Sequence, residues 1–408
     1  MGGWIAGNNF RSGLGGLEAA IAIPLAGHRV TVLEAASGIR IGAGIQILPN
    51  ASKILTAWSM RGALLQYATL PKQVNMIGWK GNHIAHMKFA QQAKKDFNRA
   101  SLYKCLLDRA VKLSSKVLMK WSVSDVKFGE AGGVCTVLLH DRRRLSADLV
   151  VGADGNYGIN SAMRGCLAGH LDKPTPTGNL AYRLMLKTKD MIKDPESREF
   201  VTDPKVNYWM RPDVHAVNYV LKGGEQFNMV LVPDDIPEGG ATTIKGNVDK
   251  MIGELLVLCE SVYKCIFCIR EELGNWSLPS GTFTLLEDTA NSTLPYLAPG
   301  GGMSLENAAA ALSECLPRIS SKRDISLALS VYETCRKKRT TRVVQRGNQQ
   351  EKDAKMKMVQ TSAWEFLAWR DPEFAPWLLG YEVMREVEAD WPNENTPPCT
   401  GIHSTNEP

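Results

Sequence analysis

Apolar and polar positions follow several different rhythms along the chain. Near the start, Gly13-Leu14-Gly15-Gly16-Leu17 leads into the small apolar run Ala19 to Ile23, which Gly27-His28 stops. Arg29-Val30-Thr31-Val32-Leu33-Glu34 then reads as a strand. Together these segments predict a βαβ unit. Its first strand, expected at Ala6–Phe10, is weak, because Gly and Asn are poor strand formers. Pro24 falls inside the helix, where a proline removes a hydrogen bond and crowds the preceding turn, at a cost of roughly 3 kcal/mol unless the helix kinks. Residues 39–49 are rich in Gly and Ile and predict a loop beside a ligand. Ala51 to Leu65 and Ser101 to Leu113 predict helices, the second with a serine cap. Trp121 to Leu139 alternates around Gly129-Glu-Ala-Gly-Gly133, as a hairpin does. Asp148 to Val151 predicts a short buried strand. Beyond it, Leu180–Leu186, Ala216–Leu221 and Phe227–Val232 predict a separate sheet layer, with a further strand at Thr282–Leu286. Met303–Leu316 and Ile325–Gln345 predict helices, and the segment after Trp391 predicts a flexible tail. There is no internal repeat.

Composition narrows the field. Of 408 residues, 44% are hydrophobic and 22% charged, enough for a sizeable core and against global disorder. The net charge of +6 is spread along the chain, slightly favours anionic small molecules and carries no argument about nucleic acid; no nucleic-acid partner is expected. Arg336-Lys-Lys-Arg339 is expected on a solvated helical face. The nine cysteines follow no framework, which favours reduced thiols and a cytoplasmic protein. Cys265 and Cys268 form a lone C-x-x-C, expected on a helix facing a core; they and the pair His83 and His86 lack the further ligands a metal needs. No leader and no membrane-spanning run is expected, hence no stable membrane insertion.

Three motifs carry chemistry. Gly13 and Gly16 occupy the second and third positions of a G-x-G-x-x-G turn whose first position is Arg11. Glycines there let a backbone approach a pyrophosphate at a helix N-terminus, and an acidic residue such as Glu34, ending the next strand, suits a nucleotide ribose. The second motif runs from Asp148 to Asp154-Gly155, followed by Ser161 and Arg164. The third is Leu286-Glu287-Asp288-Thr289-Ala290-Asn291, then Pro295 to Met303 with the glycines 300–302. A strand ending on an aspartate, before a glycine run that opens a helix, suits a ribityl chain and an electron-rich flavin edge.

With these motifs the chain resembles the flavoprotein aromatic hydroxylases, and especially the fungal salicylate-hydroxylase-like monooxygenases of secondary metabolism. The resemblance runs from about Gly13 to Trp391. It includes Ala26-Gly-His-Arg-Val-Thr-Val-Leu-Glu34, Gly42-Ala-Gly-Ile-Gln46, Asn98-Arg99, Tyr182-Arg183 and Val331 to Arg342. It implies an α/β fold: a Rossmann-like FAD-binding domain (1–175 and 280–320), an interleaved mixed-sheet substrate domain (176–279), C-terminal helices (321–390) and a tail (391–408). It implies that Glu34 binds the adenosine ribose, that Gly13 and Gly16 lie under the pyrophosphate, and that Ala43 and Gly44 lie near the flavin. Arg99 would contact the ribityl-phosphate region, Asp288 the ribityl chain and Gly301 the ring region. Asp154-Gly155 would serve both FAD and NAD(P)H. Arg183 and Tyr219 would steer an acidic, phenol-type substrate. The implied reaction uses NAD(P)H and O₂ to hydroxylate or epoxidise a small aromatic, polyketide- or indole-type metabolite through a flavin C4a-hydroperoxide.

The sequence also departs from the family pattern. Arg11 replaces a glycine and Pro24 enters the first helix; Glu287 and Asn291 replace the glycine and histidine of a Gly-Asp-Ala-x-His-Pro segment, and Pro299 replaces a glutamine. Two readings therefore stand, a working monooxygenase and a non-catalytic paralogue of the same fold. A nicotinamide-dependent dehydrogenase built on the βαβ unit alone would have no use for the Asp288 segment.

Overall fold

A computed structural model describes residues 4–8, 13–37, 44–78, 80–88, 95–155, 161–195, 197–211, 214–233, 243–245, 262–298, 300–357 and 371–392. Strand β1 (Trp4–Asn8), helix α1 (Leu14–Leu25) and strand β2 (Val30–Glu34) form the expected βαβ unit, with β1 and β2 parallel. The first strand thus starts two residues earlier than Ala6, gaining Trp4 and Ile5. Next come β3 (Gly44–Ile47), α2 (Pro49–Ala57) and α3 (Arg61–Leu65). Those two helices replace the single one expected, because Ser59 between them turns to φ +60°. Strands β4 (Gln73–Gly78) and β5 (His83–Lys88) pair antiparallel, and β6 (Lys95–Asn98) pairs with β3 and runs into α4 (Arg99–Lys112). Strands β7 (Lys116–Met119), β8 (Val123–Lys127), β9 (Cys135–Leu139), β10 (Arg144–Ala147) and β11 (Val150–Gly152) precede α5 (Ala162–Ala168).

The middle of the chain holds β12 (Thr175–Lys187), the short helices α6 (Thr188–Met191) and α7 (Arg198–Thr202), and β13 (Val206–Arg211), β14 (Val214–Leu221), β15 (Gln226–Pro233), β16 (Thr243–Lys245) and β17 (Val262–Ile269). Then follow β18 (Phe283–Leu285), α8 (Glu287–Ala290), α9 (Gly300–Ala308), the long α10 (Ile325–Lys357), α11 (Phe374–Gly380) and α12 (Val383–Asp390).

Two sheets organise these elements. Five parallel strands in the order β18-β11-β1-β2-β7 form a Rossmann-like sheet, so the carboxyl ends of β1, β2, β11 and β18 lie at one edge. Crevices at such an edge bind ligands in open α/β sheets. Eight strands in the order β16-β17-β12-β15-β14-β13-β4-β5 form a mixed sheet, in which only β13 and β4 run parallel. The β4–β5 pair, from the first third of the chain, joins this larger sheet rather than the first.

α1 is buried along nearly its whole length, from Leu14 to Ile23. Pro24 sits in its last turn and leaves the Ala20 carbonyl without its usual amide. The Ser115 hydroxyl donates to that carbonyl at 2.5 Å, so the bond the proline removes is replaced from outside the helix.

Two expectations are corrected. Cys265 and Cys268 lie on strand β17, not on a helix; three residues apart on a strand, they face opposite sides, each into a separate apolar cluster. Arg336 and Arg339 are not solvated. At spacing i, i+3 they share the inner face of α10, and both are buried against the carboxylate of Glu306 on α9. Tyr381 stacks on the Arg339 guanidinium at 3.7 Å, while Asn50 donates to Glu306 Oε1 at 2.5 Å. Two guanidiniums on one carboxylate hold Glu306 below the ordinary range despite its burial. Asn307 joins the same network, donating to Asn291 Oδ1 at 3.0 Å and accepting from Arg336 at 2.8 Å. The Asn291 side chain is thereby satisfied by other means than an imidazole would use.

Candidate functional site

The carboxyl edge of the parallel sheet gathers residues from four distant parts of the chain. Gly13 is extended (φ −67°, ψ 146°) and feeds directly into α1, whose first turn has no side-chain cap. The amides of a first helical turn lack intrahelical partners and attract anions. Gly15 is the glycine whose bareness the contacts require: a Cβ there would lie 2.7 Å from Glu287 Oε2. Sequence reasoning named Gly13 and Gly16 and passed over Gly15, because its neighbour lies 272 positions away in the chain.

Around this turn stand Glu18, Arg99, Glu287 and Asp288. Glu18 is 1% exposed, accepts a hydrogen bond from Ser304 of α9, and is pushed up to about 8 by burial; the Ser304 bond and the Arg99 charge pull against that shift, and Asp288 adds to it. Asp288, partly exposed at the first turn of α8, is raised to about 6 by desolvation against the pull of Arg99. Glu287 is raised well above the ordinary carboxylate range: burial dominates, and the charges of Asp288 and Glu18 add to it, opposed by Arg99 and the Gly15 amide. Its backbone sits at φ +59°, in the left-handed region that favours glycine. That geometry explains why a glycine is at home in this position.

Glu34 ends β2 as expected, buried, with Oε1 accepting the Ala36 amide at 2.8 Å. Asp154 has its oxygens engaged by Ser161 (2.7 Å), the Met163 amide (3.2 Å) and Thr289 (3.2 Å). Burial still raises it to about 6. The Gly155 amide donates to Thr289 Oγ1 at 2.7 Å, and Arg164 pairs with Asp172 and donates to the carbonyls of Thr289 and Ala290. Asp154-Gly155 and Arg164 therefore clamp α5 to α8, the helix that carries Asp288.

The second half of the site lies where β3 meets the mixed sheet. A Cβ at Gly301 would approach Ile45 Cδ1 to 2.8 Å, so the glycine opening of α9 packs on β3. A Cβ at Gly44 would collide with the Tyr219 hydroxyl, and the Gly44 amide donates to Asn228 Oδ1 at 3.3 Å. Strand register puts Arg183, Val230 and Val217 in one row and Met185, Asn228 and Tyr219 in the next, on one face. Arg183 and Tyr219 thus share a face, two strands apart. Tyr296, from the turn at Pro295–Leu297, reaches the same face beyond them: its ring lies 5.6 Å from His215, and Asn179 donates to its hydroxyl at 3.2 Å. Arg183 stands between these two points of approach. His215, Asn228 and Tyr296 escaped sequence reasoning; the two-residue alternation back from Tyr219 to His215 was the available signal. Ala43, Arg11 and Pro299 lie outside the described residues, as does the tail beyond residue 392.

No family model matches the chain. It is 33% identical over 413 residues to the FAD-dependent monooxygenase OpS4 of Beauveria bassiana (strain ARSEF 2860), across 92% of this chain and 95% of that one. The chain belongs to the FAD-dependent monooxygenases. Within that family, this monooxygenase is also 28% identical to a 3-hydroxybenzoate 6-hydroxylase of Polaromonas naphthalenivorans (strain CJ2), across 91% of its own length and 94% of the relative's. Its fold matches a salicylate hydroxylase substrate complex with a TM-score of 0.78 at 19% identity, covering 96% of this chain and 98% of that one. The monooxygenase's α1 turn, Glu34, Arg99 and Asp288 lie along the sheet edge where a dinucleotide would sit, and Gly15 bares the backbone that a pyrophosphate would approach. One side chain, that of Glu287, lies across that approach. Among the described residues no group of His, Cys, Asp and Glu is placed to hold a metal, and no helix is long and apolar enough to cross a membrane.

Proposed function

We propose that the chain inserts one oxygen atom of O₂ into a small aromatic or secondary-metabolite substrate, with FAD as cofactor and NAD(P)H as cosubstrate. The observation that carries this reading is the shared face of Arg183 and Tyr219, bounded by Gly44 of β3 on one side and Tyr296 on the other. Both bounding elements would border the flavin. When bound, FAD supplies the activation of O₂. The protein's part is binding, orientation and exclusion of water. Glu34 would hold the adenosine ribose, the amides of α1 and Arg99 the diphosphate, and Asp288 the ribityl chain. The α9 opening at Gly301, with Ala43 and Gly44, would flank the ring. The clamp around Asp154-Gly155 keeps Asp288 in place. Arg183 would fork a phenolate or carboxylate, and Tyr219 would hydrogen-bond beside it. The two hydroxylases named above support an aromatic acid or phenol. The large sheet, with β4 and β5 added, would be the substrate domain on the FAD domain.

The test is Arg183→Ala, loaded with FAD and screened against hydroxybenzoates. FAD content should stay unchanged while substrate-stimulated NAD(P)H oxidation falls at least tenfold. Stimulation equal to wild type would remove Arg183 from the substrate site. The buried carboxylate of Glu287 over Gly15 favours a second reading, a chain that keeps the fold and loads flavin poorly.

A further inference from the structure

We infer that Glu287 is a built-in occupant of the diphosphate subsite, so that FAD must displace its carboxyl from the α1 turn in order to bind. The inference rests on the reading that this crevice takes FAD. Three observations independent of the family carry it. The Glu287 side chain lies flat on Gly15: Oε2, Cβ and Cδ fall 2.7, 3.0 and 3.1 Å from where a Cβ would be, filling the hollow the glycine leaves. That hollow faces the uncapped first turn of a twelve-residue helix, the place where backbone amides await an anion. Glu287 is 8% exposed; its Oε2 makes no well-formed hydrogen bond among the described residues, and the Gly15 amide of the α1 turn is the backbone donor that acts on its carboxyl. A buried carboxylate oxygen without a well-formed bond is costly unless a nearby positive field favours it.

The carboxyl is held there at a further cost in backbone strain, since φ +59° suits glycine and not glutamate. Its surroundings come from every neighbouring element. Glu18 lies on α1, Arg99 at the start of α4, and Asp288 beside it on α8; Ser304 of α9 is engaged by Glu18. Among the described residues, Arg99 is the cation whose charge acts on these three carboxyls. A diphosphate arriving with Glu287 in place would face a steric block and, when Glu287 is ionised, a like charge on the same amides. With Glu287 turned out, the amides and Arg99 become available to the phosphates.

The experiment titrates flavin-free full-length chain with FAD, ADP and riboflavin, following flavin fluorescence and, for ADP, the rise in melting temperature. Wild type, Glu287→Gly and Glu287→Gln are compared. Glu287→Gly should bind FAD at least tenfold more tightly and gain for ADP, while riboflavin, which has no diphosphate, is unchanged. Glu287→Gln keeps the bulk without the charge and should fall between. A higher melting temperature in Glu287→Gly with FAD and ADP affinities equal to wild type would show strain relief alone and overturn the inference. If folded wild type and Glu287→Gly both ignore FAD and ADP, the FAD reading of the crevice itself falls, and the inference with it.

Discussion

Replacing Glu18 by glutamine isolates the cost of burying a carboxyl at the start of α1. Its pKa is pushed from 4.5 to about 8, chiefly by burial. At ~1.36 kcal/mol per pH unit, keeping Glu18 ionised in the fold costs up to about 5 kcal/mol. Whole domains are stable by only about 5–15 kcal/mol, so the effect is large enough to measure. The sign follows from linkage. Below pH 4.5 the carboxyl is neutral both folded and unfolded, and burial costs nothing extra. As pH rises from 4.5 through about 8, the unfolded chain ionises first, and the stability lent by the neutral buried form is progressively lost. Above about 8 the full penalty applies. The glutamine of the Glu18→Gln variant would stay neutral throughout and can still accept the Ser304 hydroxyl. Urea unfolding of flavin-free protein at about pH 5 and about pH 9 is the assay. The variant should match wild type within about 1 kcal/mol at the lower pH and exceed it by more than about 2 kcal/mol at the higher. A difference independent of pH would refute the reasoning, since it would mean that Glu18 is not neutral in the fold.

Other changes test the remaining parts. Ser115→Ala should cost about 1–3 kcal/mol by orphaning the buried Ala20 carbonyl, and Pro24→Ala should recover most of that loss in the double variant, as denaturant titration would read. Gly44→Ala should destabilise the protein and weaken flavin retention through its clash with the Tyr219 hydroxyl; Tyr219→Phe in the same chain should restore part of both, checked by melting temperature and flavin content. Asp288→Ala should lose FAD on gel filtration while staying folded by circular dichroism, and full retention would remove Asp288 from the ribityl role.

Local patterning made much of the architecture readable. The βαβ unit announces itself through glycines, a small-residue helix and an alternating strand, and β12, β14 and β15 show themselves as short apolar runs rich in Val, Leu, Tyr and Phe. β17, Val262-Tyr-Lys-Cys-Ile-Phe-Cys-Ile269, is a run of the same kind, and such a run cannot be told from a buried helix by period alone. The burial of Arg336 and Arg339 was hidden for a different reason. A charged pair on a helix looks solvated until its counter-charge is known, and Glu306 lies thirty residues upstream of Arg336. In the site, Glu34 is legible because it ends a strand; Asp288 is marked by the glycine run that follows it, although it lies on α8 and not at the end of β18 as the sequence suggests. The Gly15–Glu287 contact, the Ser115 repair of α1 and the approach of Tyr296 to His215 depend on pairs far apart in sequence, which no local spacing encodes.

The position of β3 has a further consequence for how this sequence can change. Tyr219 presses on Gly44 from one face of β3, and Ile45, pointing to the other face, presses on Gly301, so two separate close contacts flank one short strand. A larger residue at either glycine is accommodated only if Tyr219 or Ile45 shrinks in step. Positions 44 and 219 should therefore drift through evolution as one pair and 45 and 301 as another, so a change at Tyr219 would carry a matching adjustment in β3.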